Sequence, residues 1–286
     1  MYLDLETYHR PETVAEALAQ LAAPGTAAIA GGTSLNVAGH ERLRVLVDLQ
    51  RLPLRGVTQD GRVTRIGAMT TLAEVLRGDL PSRFAALVEA AAAEQNRAVR
   101  NRSTIGGRVS RGRANARIAT ALLALGAEVE VLSAGKYGVS RAQPALADHL
   151  AAVASASTLG LVAAVHVPSD VTWSRYVASS LTAVDAPTTD AALAASPGGV
   201  RIATGGHATA ATGTVFLPET SARTALLAPG TPEAEWRSAL RDVALAEIPA
   251  HTDALASGDY RRDLAATLVL RLVAAWLAAA SHRGAA

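Results

Sequence analysis

Arg100-Asn101-Arg102-Ser103-Thr104-Ile105-Gly106-Gly107-Arg108 and, much earlier in the chain, Ala30-Gly31-Gly32-Thr33-Ser34-Leu35 each set a Gly-Gly pair beside a small hydroxyl residue. The earlier pair follows a short apolar run, Ala27 to Ala30, and the later one lies in a stretch rich in arginine. Glycine reaches positive φ without steric cost and lets backbone come within hydrogen-bond distance of a ligand. Successive N–H groups in such a turn form a concave nest that favours anions, phosphate above all. Either pair alone reads equally well as an ordinary tight turn. Two of them in one chain point to a ligand with a diphosphate, such as a dinucleotide, clasped from both sides.

The chain has 286 residues, comfortable for two domains with a real core. Half are hydrophobic, but alanine supplies much of that half and aromatics only 3%, so Leu, Val and Ala must build the interior. Basic residues number 27 against 25 acidic, and Lys136 is the only lysine. That near-neutral balance does not mark a nucleic-acid binder. There is no cysteine, which excludes disulfides, thiolate chemistry and a cysteine-held iron–sulfur or zinc site within these residues. Electrons entering or leaving would have to reach metal centres on other subunits. The seven histidines show no metal-binding spacing. Met1-Tyr2-Leu3-Asp4 does not read as a signal peptide. The longest apolar run, Leu264 to Ala280, is interrupted by Arg271 and reads as a core or interface helix, not a membrane span. A soluble, cytoplasmic protein is the expectation.

Pro11 suits the start of a helix over residues 11–21, with Val14, Leu18 and Leu21 on one face. Strands are expected at Thr26 to Ala30, Arg44 to Leu49 and Arg62 to Gly67. Thr71-x-x-Glu74 is a capping box opening a helix at Leu72. Phe84 to Gln95 and Ile118 to Gly126 read as helices, with an arginine-rich loop between them. Ala127 to Leu132 and Leu159 to Val167 read as strands, closing a first domain near Pro168. Beyond it come a strand at Val200 to Gly206, helices at 219–227 and 232–246, and a long terminal helix opened by Gly258-Asp259. Strands and helices interleave without a regular βαβ repeat, so the fold class is α+β.

These motifs, in this order, resemble the FAD-binding medium subunits of molybdenum hydroxylases, the carbon monoxide dehydrogenase and xanthine dehydrogenase type. The resemblance runs through Ala30 to Leu35 (an AGGTSL-like motif), Val47 to Val57, Ile66 to Glu74, the RNR-x-TIGG motif of Arg100 to Gly107, and Tyr260-Arg261-Arg262. It implies a two-subdomain FAD-binding fold of the vanillyl-alcohol-oxidase/PCMH type over residues 1–168, divided near 55, and a small α+β C-terminal domain over 169–286. It also implies that Ala30, Gly31, Gly32, Thr33, Ser34 and Leu35 form one wall of the FAD site and Thr104, Ile105, Gly106 and Gly107 the other. The implied chemistry is electron transfer from iron–sulfur clusters on a small subunit, fed by a molybdenum-cofactor large subunit, through flavin to an external acceptor.

The chain departs from the family pattern after the second glycine pair. Arg108 stands where the family has Asn, Ala114 where it has Pro, and Arg117 where an acidic side chain helps hold the flavin's hydroxyls. A guanidinium only donates hydrogen bonds where a carboxylate accepts them. Arg108 and Arg117 therefore join the candidate site as altered positions, and Arg117→Asp is expected to tighten flavin binding. Seven arginines lie from Arg97 to Arg117. They read as a solvated or subunit-facing surface, or as a grip on phosphate or carboxylate; scarce aromatics argue against nucleic acid. The departures also motivate an alternative function, a scaffold that has lost flavin and uses the cleft for a non-redox cyclisation or isomerisation of a bulky metabolite. His40, His207, Tyr176 and Asp185 are further residues that could approach the cleft. Ser34 has no Ser/His/Asp context, so a hydrolase is rejected.

Overall fold

The computed structural model describes residues 5–33, 43–78, 80–94, 96–110, 117–155, 160–182, 185–206, 214–216, 231–249 and 251–284. The first layer is a parallel sheet of β1 (Thr7–His9), β2 (Thr26–Ile29) and β3 (Val45–Asp48), in the order β1-β3-β2. The helix before β2, α1 (Val14–Leu21), starts three residues later than Pro11 suggests. Thr13 is the reason: its side chain accepts from Glu16 N while Glu16 reaches back to the Thr13 amide. This capping box stabilises the helix start by roughly 1 kcal/mol.

The second sheet is antiparallel, in the order β4-β5-β8-β6-β7. Its strands are β4 (Val57–Asp60), β5 (Val63–Gly67), β6 (Glu128–Gly135), β7 (Gly138–Ala142) and β8 (Leu161–Pro168). Helices α2 (Leu72–Arg77), α3 (Ala85–Ala93), α6 (Arg117–Ala124) and α7 (Leu146–Ala154) accompany it. The capping box at Thr71 and Glu74 opens α2 as expected. The stretch expected as an arginine-rich loop is instead two short helices, α4 (Arg97–Arg102) and α5 (Ile105–Val109). Asn96 and Thr104 cap them by accepting from Val99 N and Gly107 N.

The third sheet, β12-β11-β10-β9, holds β9 (Trp173–Ser179), β10 (Thr189–Ser196), β11 (Gly199–Gly205) and β12 (Thr214–Phe216). Strand β10 has no alternating pattern because both its faces are covered. Ala192 and Ala194 join the core of α3 and α6. Ala191 and Leu193 join a second core with α8 (Glu233–Glu247) and α9 (Gly258–Gly284). Among the described residues, α9 is the one helix long and apolar enough to cross a membrane. Its Leu268, Val269, Leu272 and Val273 are buried in that second core, while about a third of its most apolar stretch is buried overall (33%). The helix expected over 219–227 lies outside the described residues.

The mixed α+β class is as expected. Strands β4, β7, β9, β10 and β12 and helix α7 were not legible in the sequence. A third cluster, with Leu18, Val47, Leu49, Met69, Leu161 and Ala163, joins α1 and the parallel sheet to the second sheet.

Candidate functional site

The two glycine-bearing motifs meet, the first pair packing on Arg102 and Ser103 at the head of the second. A Cβ built on Gly31 would fall 1.7 Å from the Arg102 carbonyl oxygen, so only glycine permits this approach. Arg102 Nε donates to Gly31 O at 3.1 Å, and Ser103 Oγ donates to Thr33 Oγ1 at 3.2 Å. Gly32 has a φ of 72°, the left-handed turn that carries the chain back from β2. On the other side, a Cβ on Gly106 would lie 2.6 Å from Ala68 Cβ, so this glycine lets α5 pack against the end of β5.

The structure corrects one expectation about these loops. The second pair is not an open nest, because its amides are already used. Ile105 N donates to Thr70 O at 2.9 Å and Gly106 N to Ala68 O at 2.8 Å. Gly107 N donates to Thr104 Oγ1 and Arg108 N to Thr104 O, both at 3.1 Å. Among the described residues, the amides of Gly31, Gly32 and Thr33 have no such partner. Anion-binding capacity of the main chain thus belongs to the first loop.

Between the loops and the sheets lies a cavity of about 1080 Å³. Leu18, Leu21, Thr26, Ala28 and Ala30 wall it on the α1 and β2 side; Ala68, Met69, Gly106, Gly107 and Ser110 on the α5 side; Ser133, Gly160, Leu161 and Val162 form its floor. None of its described lining residues is charged. Ala30, Gly106 and Gly107 are the predicted residues that line it. Gly31, Gly32 and Thr33 follow Ala30 at its edge and, like Thr104 and Ile105, are not among the residues that line it. Ser34, Leu35, His40 and His207 lie outside the described residues.

Arg108 and Arg117 turn away from the cavity. Arg108 Nη2 lies 3.0 Å from both Ser103 Oγ and a carboxylate oxygen of Glu94. Arg117, only 4% exposed, donates Nη1 to Ala93 O at 2.6 Å and Nη2 to the carbonyl of Asp185. It belongs to a buried polar network that sequence reasoning missed. Tyr176 OH donates to Asp190 Oδ2 at 2.8 Å, and Thr120 Oγ1 to Asp190 Oδ1 at 3.1 Å. Burial pushes the Asp190 carboxyl up to about 6, against the pull of those two hydrogen bonds and of Arg117. Burial also raises Glu94, which Arg108 and Arg117 oppose, and holds the Tyr176 hydroxyl well above its ordinary range. Asp185 contributes only its carbonyl. No sequence signal marks Asp190, since its partners are distant in the chain.

A dinucleotide fits this arrangement. The volume lies just above the range of ordinary small-molecule sites, about 300–1,000 Å³, as a ligand of dinucleotide size requires. The first loop offers main-chain donors to phosphate. Thr26 lines the cavity, but its hydroxyl oxygen is buried away from it and has no partner among the described residues. Leu18, Leu161, Val162 and Met69 supply the apolar walls a ring system needs.

A two-subdomain α+β fold around a glycine-walled dinucleotide cleft defines a class of flavoprotein domains. The family described as FAD binding domain in molybdopterin dehydrogenase matches residues 3–170, and the chain belongs to it. The carbon monoxide dehydrogenase medium chain of Hydrogenophaga pseudoflava is 38% identical over 112 residues, 37% of this chain and 39% of that one. The uncharacterized protein YgfM of Escherichia coli (strain K12) is 37% identical over 130 residues, 44% of this chain and 49% of that one. The matched stretches thus span less than half the length of these curated relatives. Among solved structures, carbon monoxide dehydrogenase from Hydrogenophaga pseudoflava lacking the Mo-pyranopterin moiety superposes with a TM-score of 0.75 at 25% identity, covering 96% of this chain and 97% of that one. Quinoline 2-oxidoreductase from Pseudomonas putida 86 gives 0.80 at 22%, covering 98% and 99%, and speaks for the fold alone.

Proposed function

We propose that the chain is the FAD-carrying subunit of a molybdenum hydroxylase-type oxidoreductase. In this reading it passes electrons from the iron–sulfur clusters of a small partner subunit, supplied by a molybdenum-cofactor large subunit, to an external acceptor in the cytoplasm. The observation that carries it is the contact between the two glycine loops at the edge of an uncharged cavity of dinucleotide size. FAD supplies the electron-accepting and electron-donating chemistry. The chain's own work is to hold it. Gly31, Gly32 and Thr33, at the edge of the cavity, would present main-chain donors to the diphosphate, while Ala30, Gly106 and Gly107 leave room for it; Ser34 and Leu35 remain candidates for the same wall by resemblance. Ser133 offers a hydroxyl, and Leu161, Val162 and Met69 exclude water. The cleft lies between residues on either side of position 55, which supports a division into subdomains 1–55 and 56–168, followed by the C-terminal domain 169–286.

One observation favours the second reading, the flavin-free scaffold acting on a bulky metabolite. Arg117, at the position of the family's acidic side chain, serves the interior and not the cleft. An absorption spectrum of the purified protein separates the two readings. Bound flavin gives a band near ~450 nm, retained after gel filtration. A colourless protein that takes up no added FAD refutes the first reading. Co-purification with a molybdenum subunit and an iron–sulfur subunit tests the partners.

A further inference from the structure

The most unusual side chain near the cleft is Arg108, which touches neither solvent freely nor the cavity. Its Nη2 bridges two groups at 3.0 Å, the Glu94 carboxylate behind it and Ser103 Oγ in front. Glu94 is 4% exposed, so its charge is fixed in place and fixes the guanidinium in turn. Ser103 is buried as well, and its hydroxyl, receiving from Arg108, donates onward to Thr33 Oγ1 at 3.2 Å. An accepting serine that also donates has a single orientation available, so the relay has a direction: Glu94, Arg108, Ser103, Thr33.

We propose that Arg108 is a positioning residue for the cofactor cleft, holding the first glycine loop against the second through Ser103 and Thr33. This rests on the reading of the cleft as the FAD site. The free amides of Gly31, Gly32 and Thr33 bind a diphosphate only when the loop is docked. The arginine acts at a distance from the ligand by keeping the loop in that pose, and with no contact to the ligand it leaves the cavity uncharged. The Arg102 contact to Gly31 O fixes the loop at its start, and the relay from Arg108 fixes it two residues further on.

Ser103→Ala cuts the relay while leaving the Arg108–Glu94 pair intact, so it is the variant that keeps the fold. Titration of flavin-free protein with FAD, followed by flavin fluorescence, should show Kd weakened about tenfold in Ser103→Ala and in Arg108→Gln, the scale of one charge-assisted link. In a Thr33→Val background the same two substitutions should each change Kd by less than about twofold, because the relay already ends short of the loop. Additive losses across these pairs would overturn the proposal. NMR order parameters of the Gly31 to Thr33 amides in the flavin-free protein read the loop directly and should fall from the rigid range, about 0.85, toward about 0.6 in Ser103→Ala. Unchanged order parameters would overturn it even where wild type binds no FAD. Lack of FAD binding by wild type with lowered order parameters in the variant refutes the flavin reading and leaves the relay standing.

Discussion

Gly31→Ala is the substitution the structure judges most severely. The added methyl carbon would stand 1.7 Å from Arg102 O and 2.5 Å from its carbonyl carbon, both backbone atoms with no rotamer to escape into. Ordinary non-bonded separations begin near ~3.5 Å, so the loop must retreat by well over about 1 Å. Retreat breaks the Arg102 Nε bond to Gly31 O at 3.1 Å and the Ser103 bond to Thr33 at 3.2 Å. At about 1 kcal/mol each, redocking the loop would take about 2 kcal/mol from cofactor binding, or about 30-fold in Kd. Titration of flavin-free protein by fluorescence measures the loss, and a thermal melt without FAD separates it from unfolding. A Kd within about twofold of wild type, with the melt unchanged, would refute the claim that loop contact builds the cleft.

Gly107→Val tests the cavity from within. The new Cβ meets only Thr104 Oγ1 at 3.0 Å, so its methyls extend into the space, and FAD affinity should fall about tenfold or more while the flavin-free melt barely moves. Arg117→Asp should not tighten flavin, contrary to the expectation from sequence. It would put a third carboxylate beside Glu94 and Asp190 and cost about 3–5 kcal/mol of stability, read by denaturant unfolding; a folded variant with tighter FAD would refute the placement. Asp190 gives a pH signature. The native carboxyl keeps its proton up to about pH 6, the unfolded one only to about 3.9. Between those values the native state binds more protons, so stability falls as pH rises. Relative to Asp190→Asn, wild type should lose about 2 kcal/mol from about pH 4 to about pH 7, and a flat difference would refute the buried charge.

Local signals were readable where one element decides them. Thr71 and Glu74 announce α2, and Thr13 with Glu16 carries the same signature for α1, although Pro11 competes with it as a start. The meeting of the two motifs was also legible, because a resemblance fixes their order in the chain. Their separate tasks were not. Gly106 is required by Ala68 and Gly31 by Arg102, and both contacts exist only after the sheets have closed. The same holds for Arg117, whose place among Ala93, Asp185 and Asp190 depends on how the third sheet lies on α3 and α6. Strand β10 hid for a different reason, since a run buried on both faces has no period to detect.

That strand also sets how the molecule can come apart. Its two rows of small side chains serve as a party wall, with the flavin-bearing half leaning on one side and the terminal helices on the other. Ser174 accepts from Ala86 N, and Glu89 accepts from Tyr176 N, so α3 is laced to β9 as well. A chain ended at residue 168 would therefore present the greasy flanks of α3 and α6 to water and would aggregate or stay molten, whatever the family boundary at that point suggests. The border drawn by ancestry and the border drawn by cooperativity do not coincide here.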